Sequence, residues 1–154
     1  QNVMEKLRAI HPHVNTIVAD CQHRLDFPDG YFDRIIAIHI LEHLPDLPRA
    51  AQEMYRLCDK KDGFLQVVLP LEGSFAYGLG RRVSAQRIFE KRYQQSYKWF
   101  IEREHLNVPS EVMGELEPYF EMEGRTFFPI PLPIAWCNLV VGMRLLPRKR
   151  PSQG

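Results

Sequence analysis

Apolar residues at Val3, Met4, Leu7 and Ile10 follow the three-and-four spacing of one helix face, so the chain opens on a helix over residues 2–10 that His11-Pro12 ends. The period then shortens. Thr16-Ile17-Val18-Ala19 is a short β-rich run closed by Asp20, and Asp26-Phe27-Pro28-Asp29-Gly30 carries turn residues. Asp33 to Ile38 is nearly continuously apolar after its start, the pattern of a strand buried on both faces of a parallel sheet. Pro45-Asp46-Leu47-Pro48 opens a helix over about Arg49 to Cys58, with Ala50, Ala51, Met54, Leu57 and Cys58 on one face, and Asp62-Gly63 stops it. Phe64 to Leu69 is a third strand, ended by Pro70.

Strand, helix and strand with short links predict an α/β fold, Rossmann-like, with a mostly parallel sheet and flanking helices. Ligands of such sheets sit beyond the carboxyl ends of the strands, where Asp20, His39 and Pro70 stand. Residues 1–72 are therefore read as the ligand-side core. The pattern changes after them. Ala85 to Ile101 is charged and aromatic with helical spacing, and Pro109 to Phe120 is a further helix. Residues 73–122 are read as a helical region. Arg125 to Pro129 and Asn138 to Leu146 form an antiparallel closing pair within 123–147, followed by a basic tail over 148–154. All of this is one domain.

Composition narrows the function classes. The 154 residues are 45% hydrophobic and 25% charged, with a formal net charge of +1. That balance fits a globular domain and gives no global field for nucleic acid. Arg148-Lys149-Arg150 is the one basic cluster, and most such tails are solvated. Cys21, Cys58 and Cys137 are odd in number and widely spaced, which argues against a disulfide framework and suits a reducing cytoplasm. No apolar run is long enough to cross a bilayer, because Pro129, Pro131 and Pro133 interrupt Phe127 to Leu146.

His39-Ile-Leu-Glu-His43 has the letters H-x-x-E-H, in which two histidines on one helix hold zinc and a glutamate activates water. Here His39 directly follows an apolar strand, and Pro45 cuts short any helix through both histidines. No metal is therefore assigned. Glu42, His43 and His105 could still converge on a cation; the simpler reading has Glu42 capping the next helix and His43 against the sheet edge. Asp20 is either a turn carboxylate or an acceptor for a ligand amine or hydroxyl. Gly78-Leu79-Gly80 does not directly join a strand to a helix, so it reads as an ordinary loop. Glu102 to Asn107 could supply a base or substrate contacts, or simply be a solvated helix end.

Taken together, Val18-Ala19-Asp20, Leu25 to Gly30, Asp33 to Ile38 and Leu41-Glu42-His43-Leu44-Pro45-Asp46, followed by Asp62-Gly63-Phe64, resemble the class I S-adenosylmethionine-dependent methyltransferases of the type 11 group. The resemblance covers residues 1–72 in order and spacing, and less sharply the closing strands around Asn138 to Gly142. It implies S-adenosylmethionine as cofactor and a small-molecule acceptor, with neither a nucleic acid nor an integral membrane segment. It implies that Asp20 faces the adenine amine and that Cys21 offers its backbone N–H to the ring. His39 and Ile40 then lie near the methionine end, Leu25 to Pro28 flanks the adenine, and the resemblance implies that residues 73–122 form the substrate lid. His43 and His105 are the candidates for taking a proton from the acceptor, since histidine as a residue type titrates near neutral pH.

The family's first strand, its Gly-rich loop and the acidic end of its second strand are not among these residues. That unit of about 30 or more residues would fall before Gln1. The chain is thus expected to be the C-terminal two-thirds of a domain and inactive alone, its sheet completed by a preceding segment or a partner chain. The alternative is a non-catalytic α/β binding module that lacks the cofactor loop.

Overall fold

A computed structural model describes residues 3–71, 78, 85–94 and 106–149. Its elements in order are α1 (Val3–Ile10), β1 (Arg34–Ile38), a 3-10 turn (Leu41–His43), α2 (Leu47–Leu57), β2 (Phe64–Pro70), α3 (Ala85–Tyr93), α4 (Pro109–Leu116), β3 (Phe120–Phe128), a second 3-10 turn (Ala135–Cys137) and β4 (Val140–Pro147). The sheet order is β1-β2-β4-β3. β1 and β2 are parallel, joined by α2 as crossover, and β4 inserts antiparallel between β2 and β3. The expected α/β sheet with an antiparallel closing pair is present. Its parallel part, among the described residues, is confined to β1 and β2.

α2 starts two residues earlier than its apolar stripe suggests. Asp46 is the cap, its carboxylate accepting the Arg49 N–H at 3.4 Å, with Pro48 in the first turn where no N–H is needed. Capping therefore falls to Asp46 and not to Glu42. Ala50 and Ala51 are fully buried, and their small side chains let α2 approach the sheet closely. Leu65, Val67 and Leu69 of β2 alternate inward and meet Val141, Met143 and Leu145 of β4. α4 closes the same core through buried Val112 and Leu116. Part of the segment read as a lid thus belongs to the packed body.

Two expectations change. β1 is not buried on both faces: Ala37 is in the core, whereas Ile36 and Ile38 are each 57% exposed. The core residues of the sheet share one face, under α2 and α4, and among the described residues no strand pairs the outer edge of β1. Thr16 to Ala19 is no strand either. It runs without ladder bonds, and Val18 is 88% exposed. A β-rich run forms a strand only when a neighbour supplies the pairing, and among the described residues none stands beside this one.

Arg56 ties the loop before β1 to α2. Its guanidinium donates to both oxygens of Glu53 at 2.8 and 2.7 Å, to Asp29 at 2.7 Å, and to the carbonyls of Phe27 and Leu25 at 2.8 and 3.1 Å. Glu53 also accepts the Leu25 N–H at 2.8 Å. The Arg56 hydrogen bonds hold the Glu53 carboxyl below its usual range, against the opposing effect of burial, and do the same for exposed Asp29. A carboxylate with a lowered folded pKa stabilises fully above its unfolded value, and that contribution disappears as pH falls through the folded value. Melting temperature is therefore expected to decline as pH drops below about 4.5, and Glu53→Gln should flatten that decline while lowering the plateau near neutrality. Parallel melting curves of the two proteins across the acid range check this; identical acid limbs would remove Glu53 from the account.

Candidate active site

β1 ends at Ile38, and the chain reverses at once. His39 has φ 49°, the left-handed region that a non-glycine residue seldom adopts. Such a backbone costs about 1 kcal/mol or more and persists only where its surroundings hold it. Here they do. The His39 N–H donates to the Val68 carbonyl at 3.1 Å, and its ring Nδ1 lies 3.3 Å from Glu42 Oε1. Asn107, far along the chain, fastens the following turn from outside. Its side-chain amide donates to the carbonyls of Leu41 at 3.1 Å and Leu44 at 2.7 Å. The Glu42 carbonyl in turn accepts the N–H groups of Leu106 and Asn107 at 2.8 and 3.0 Å.

The Glu42 side chain is only 3% exposed, and among the described residues its Oε2 is buried without a hydrogen-bond partner. A buried carboxylate with an unmet oxygen is costly to keep. In the pair His39–Glu42 an imidazole ring stands against a buried carboxylate; a second such pair, His23–Asp20 at 3.2 Å, is exposed. Composition and motif reading pointed to His43 and His105 instead. His43 is half-buried on the same turn, with its N–H on the Ile40 carbonyl at 3.0 Å. His105 lies outside the described residues. The available signal for the contact of Glu42 with His39 was their spacing of three.

The H-x-x-E-H letters do not make a zinc helix. The turn that contains Glu42 and His43 is a single 3-10 turn, and His39 precedes it with a reversed backbone. No regular helix carries both histidines.

Beside this turn, between β1 and α2, is an apolar slot of about 200 Å³ lined by Cys21, Leu25, Ile36, Ile40, Leu41 and Met54 among others. Cys21, Leu25 and Ile40, far apart in sequence, come together here. Burial, and then the neighbouring Asp20 charge, push the Cys21 thiol pKa up; Glu53, paired with Arg56, also reaches the slot wall. Asp20 stands outside the slot. It is exposed, and its carboxylate accepts the Gln22 side-chain and backbone N–H groups at 3.0 and 2.9 Å and lies 3.2 Å from His23 Nδ1. Those bonds, the Gln22 side chain first, lower its pKa. Gln22 also accepts the Asp46 N–H at 2.7 Å, which ties this turn to the start of α2. A wider groove of about 960 Å³, rich in Arg and Lys from Arg24 to Lys149, lies elsewhere along α2. His39, Ile40 and Glu42 do not line it, whereas Ile40 lines the slot. Leu79 and Gly80, next to Gly78, and most of the aromatic segment 73–105 lie outside the described residues.

The slot and its rim residues fall within residues 1–67, and this stretch matches the family described as "Methyltransferase domain". No curated protein matches the chain in sequence. Solved structures are similar in fold. The PH0226 protein of Pyrococcus horikoshii superposes with a TM-score of 0.63 at 16% identity, over 94% of this chain and 65% of its own. A SAM-dependent methyltransferase of Thermotoga maritima gives 0.58 at 22% identity, over 94% of this chain and 70% of its own. The N-methyltransferase NodS of Bradyrhizobium japonicum, in complex with S-adenosyl-L-homocysteine, gives 0.57 at 13% identity, over 95% of this chain and 62% of its own. The chain thus spans less than two thirds of the Pyrococcus and NodS proteins, and identities this low speak for fold alone. The fold is that of the S-adenosylmethionine-dependent methyltransferases, and residues 1–67 match the methyltransferase domain family.

Proposed function

We propose that these residues form the adenine-side half of an S-adenosylmethionine site, and that the whole domain transfers a methyl group to a small-molecule acceptor. The observation that carries this reading is the apolar slot, which joins Cys21, Leu25 and Ile40. The resemblance assigns those same positions to the cofactor, and the NodS structure holds the demethylated cofactor on this fold.

The residues fit that half of the group. A flat, apolar ring suits the slot, and Leu25 and Ile40 would exclude water from it. Asp20 can serve the ring amine only by releasing one of its bonds to Gln22 or His23. When bound, the cofactor supplies an electrophilic methyl group on a sulfonium. The protein's part is then to align the acceptor and keep water away. His43 and His105 are the proposed proton acceptors, and His39, oriented by Glu42, joins them. The free edge of β1, with Ile36 and Ile38 exposed, is where a further strand from a longer chain or a partner would complete the sheet. The free cysteines fit a reducing cytoplasm.

The test is calorimetric titration of the longest natural protein containing these residues with S-adenosylhomocysteine. Ile40→Asp places a charge at the apolar slot and should weaken binding about 100-fold. Equal affinity in the two proteins would move the cofactor elsewhere. The chain of 154 residues alone is expected to transfer no methyl label.

A further inference from the structure

Between β3 and β4 runs Phe128-Pro-Ile-Pro-Leu-Pro-Ile-Ala-Trp136, and no charged residue stands anywhere between Arg125 and Arg144. So apolar a stretch would ordinarily be core. The structure puts it outside. Phe128 is 62% exposed, Leu132 53% and Trp136 64%, with Ile130 and Ile134 each more than one-third exposed.

Asn138 explains how the loop holds this shape. It is fully buried; its Oδ1 accepts the Ile130 N–H at 2.8 Å, and its Nδ2 donates to the carbonyls of Leu132 and Ile134 at 3.1 and 3.0 Å. The Leu132 N–H goes to the Ile130 carbonyl at 2.8 Å and the Ile134 N–H to the Leu132 carbonyl at 2.7 Å. Pro129, Pro131 and Pro133 have no N–H. Every backbone donor from 129 to 134 is therefore absent or already bonded inside the loop. Cys137 donates to Ile134 at 3.2 Å and Leu139 to Phe128 at 2.8 Å, closing the base.

Over residues 129–134 the surface has no charge and no free backbone N–H, so it offers few hydrogen bonds to a protein partner, whose interfaces combine apolar contact with hydrogen bonds. A lipid interface asks for this combination: apolar side chains outside, backbone groups satisfied within, and an aromatic residue at the boundary. We propose that loop 128–136 docks the protein on a lipid bilayer by inserting Phe128, Ile130, Leu132, Ile134 and Trp136 into its interfacial layer. Among the described residues no helix is long and apolar enough to cross a membrane, so the attachment is peripheral. The loop joins the sheet where the Leu71 N–H meets the Leu139 carbonyl at 2.8 Å, just past the carboxyl end of β2. β1 delivers His39 and Ile40 at that same end. On the methyltransferase reading, on which this one step rests, the acceptor is an apolar molecule dissolved in the bilayer.

Co-sedimentation of the natural protein with vesicles tests the docking. Two compositions are used, phosphatidylcholine alone and phosphatidylcholine mixed with phosphatidylglycerol. The unmodified protein should sediment with the neutral vesicles, and Leu132→Asp should lower the bound fraction about tenfold or more. Leu132 is already exposed, so the variant is expected to fold; Trp136→Ser gives a second variant, and circular dichroism checks both. Three outcomes overturn the proposal. The unmodified protein sediments with neither vesicle. It binds only the anionic ones and Leu132→Asp changes nothing, which assigns binding to the tail Arg148 to Arg150. Or it dimerises without lipid and Leu132→Asp abolishes the dimer, which makes the loop a contact between copies. Vesicle binding needs no cofactor, so its failure leaves the methyltransferase reading untouched, and absence of S-adenosylhomocysteine binding leaves the docking untouched.

Discussion

Gly63→Ala is expected to lower the stability of the chain by about 3 kcal/mol or more, a large part of what a domain of this size has to lose. Gly63 is buried where the turn after α2 enters β2. A Cβ there would stand 2.4 Å from the Asp59 carbonyl oxygen and 2.9 Å from its nitrogen, and both are backbone atoms. No rotamer change relieves that contact. The Asp59 backbone cannot easily yield, since its N–H donates to the Phe32 carbonyl at 2.8 Å and its carboxylate accepts the Asp62 N–H at 3.0 Å. To admit a methyl group the turn must open, and β2 then enters the sheet displaced. Urea unfolding of both proteins measures the effect. A midpoint shift equivalent to less than about 1 kcal/mol would mean that the turn relaxes freely.

On the proposed methyltransferase reading, Glu42→Gln is expected to lower kcat/KM of the longest natural protein containing these residues at least tenfold, and Glu42→Ala about 100-fold, while Glu42→Gln leaves the melting temperature equal or higher. The two readouts move apart for one reason. Glu42 is buried with one oxygen, Oε2, that finds no partner among the described residues, so its desolvation offsets what the Oε1 contact contributes to the fold. Its value lies in the contact with His39 Nδ1 at 3.3 Å, beside a backbone already held in the left-handed region. Glutamine keeps the volume and can still bond the ring. It cannot offer a carboxylate to a ring that gains a proton. If Glu42→Gln instead unfolds the chain with no change in kcat per folded molecule, Glu42 is a structural group.

The elements that a local pattern specifies were legible. α2 and β2 follow from an apolar stripe and flanking Pro and Gly residues, all within a few positions of each other, although the cap proved to be Asp46 and not Glu42. The failures came wherever a distant partner decides. Thr16 to Ala19 has strand composition, but strand formation needs a neighbour, and composition does not count neighbours. Ile35 to Ile38 reads as doubly buried because local sequence does not say whether one layer of helices or two covers a sheet. The proposed site was reached only through resemblance. Cys21, Leu25 and Ile40 share no spacing rule; α2 crossing over β1 brings them together. Asn107 could not be recognised as the clamp of the turn, because its hydrogen bonds reach back to Leu41 and Leu44. The same holds for Asn138. Its apolar surroundings could equally have been core, and a buried amide bonded to alternate residues is invisible to any periodicity.

The insertion of β4 between β2 and β3 also sets the order in which the protein can be made. The ribosome releases β1, α2 and β2 first, yet the second edge of β2 pairs with residues 140–145. Until those residues emerge, Leu65, Val67 and Leu69 have α2 on their face but nothing along that edge. β3 and β4, joined by a short connection, have by contrast only each other to find and pair over eight positions. Assembly of the sheet is therefore gated from its C-terminal side. A nascent chain paused before residue 140 holds a parallel pair with its backbone donors unmet, the kind of intermediate that holdase chaperones recognise.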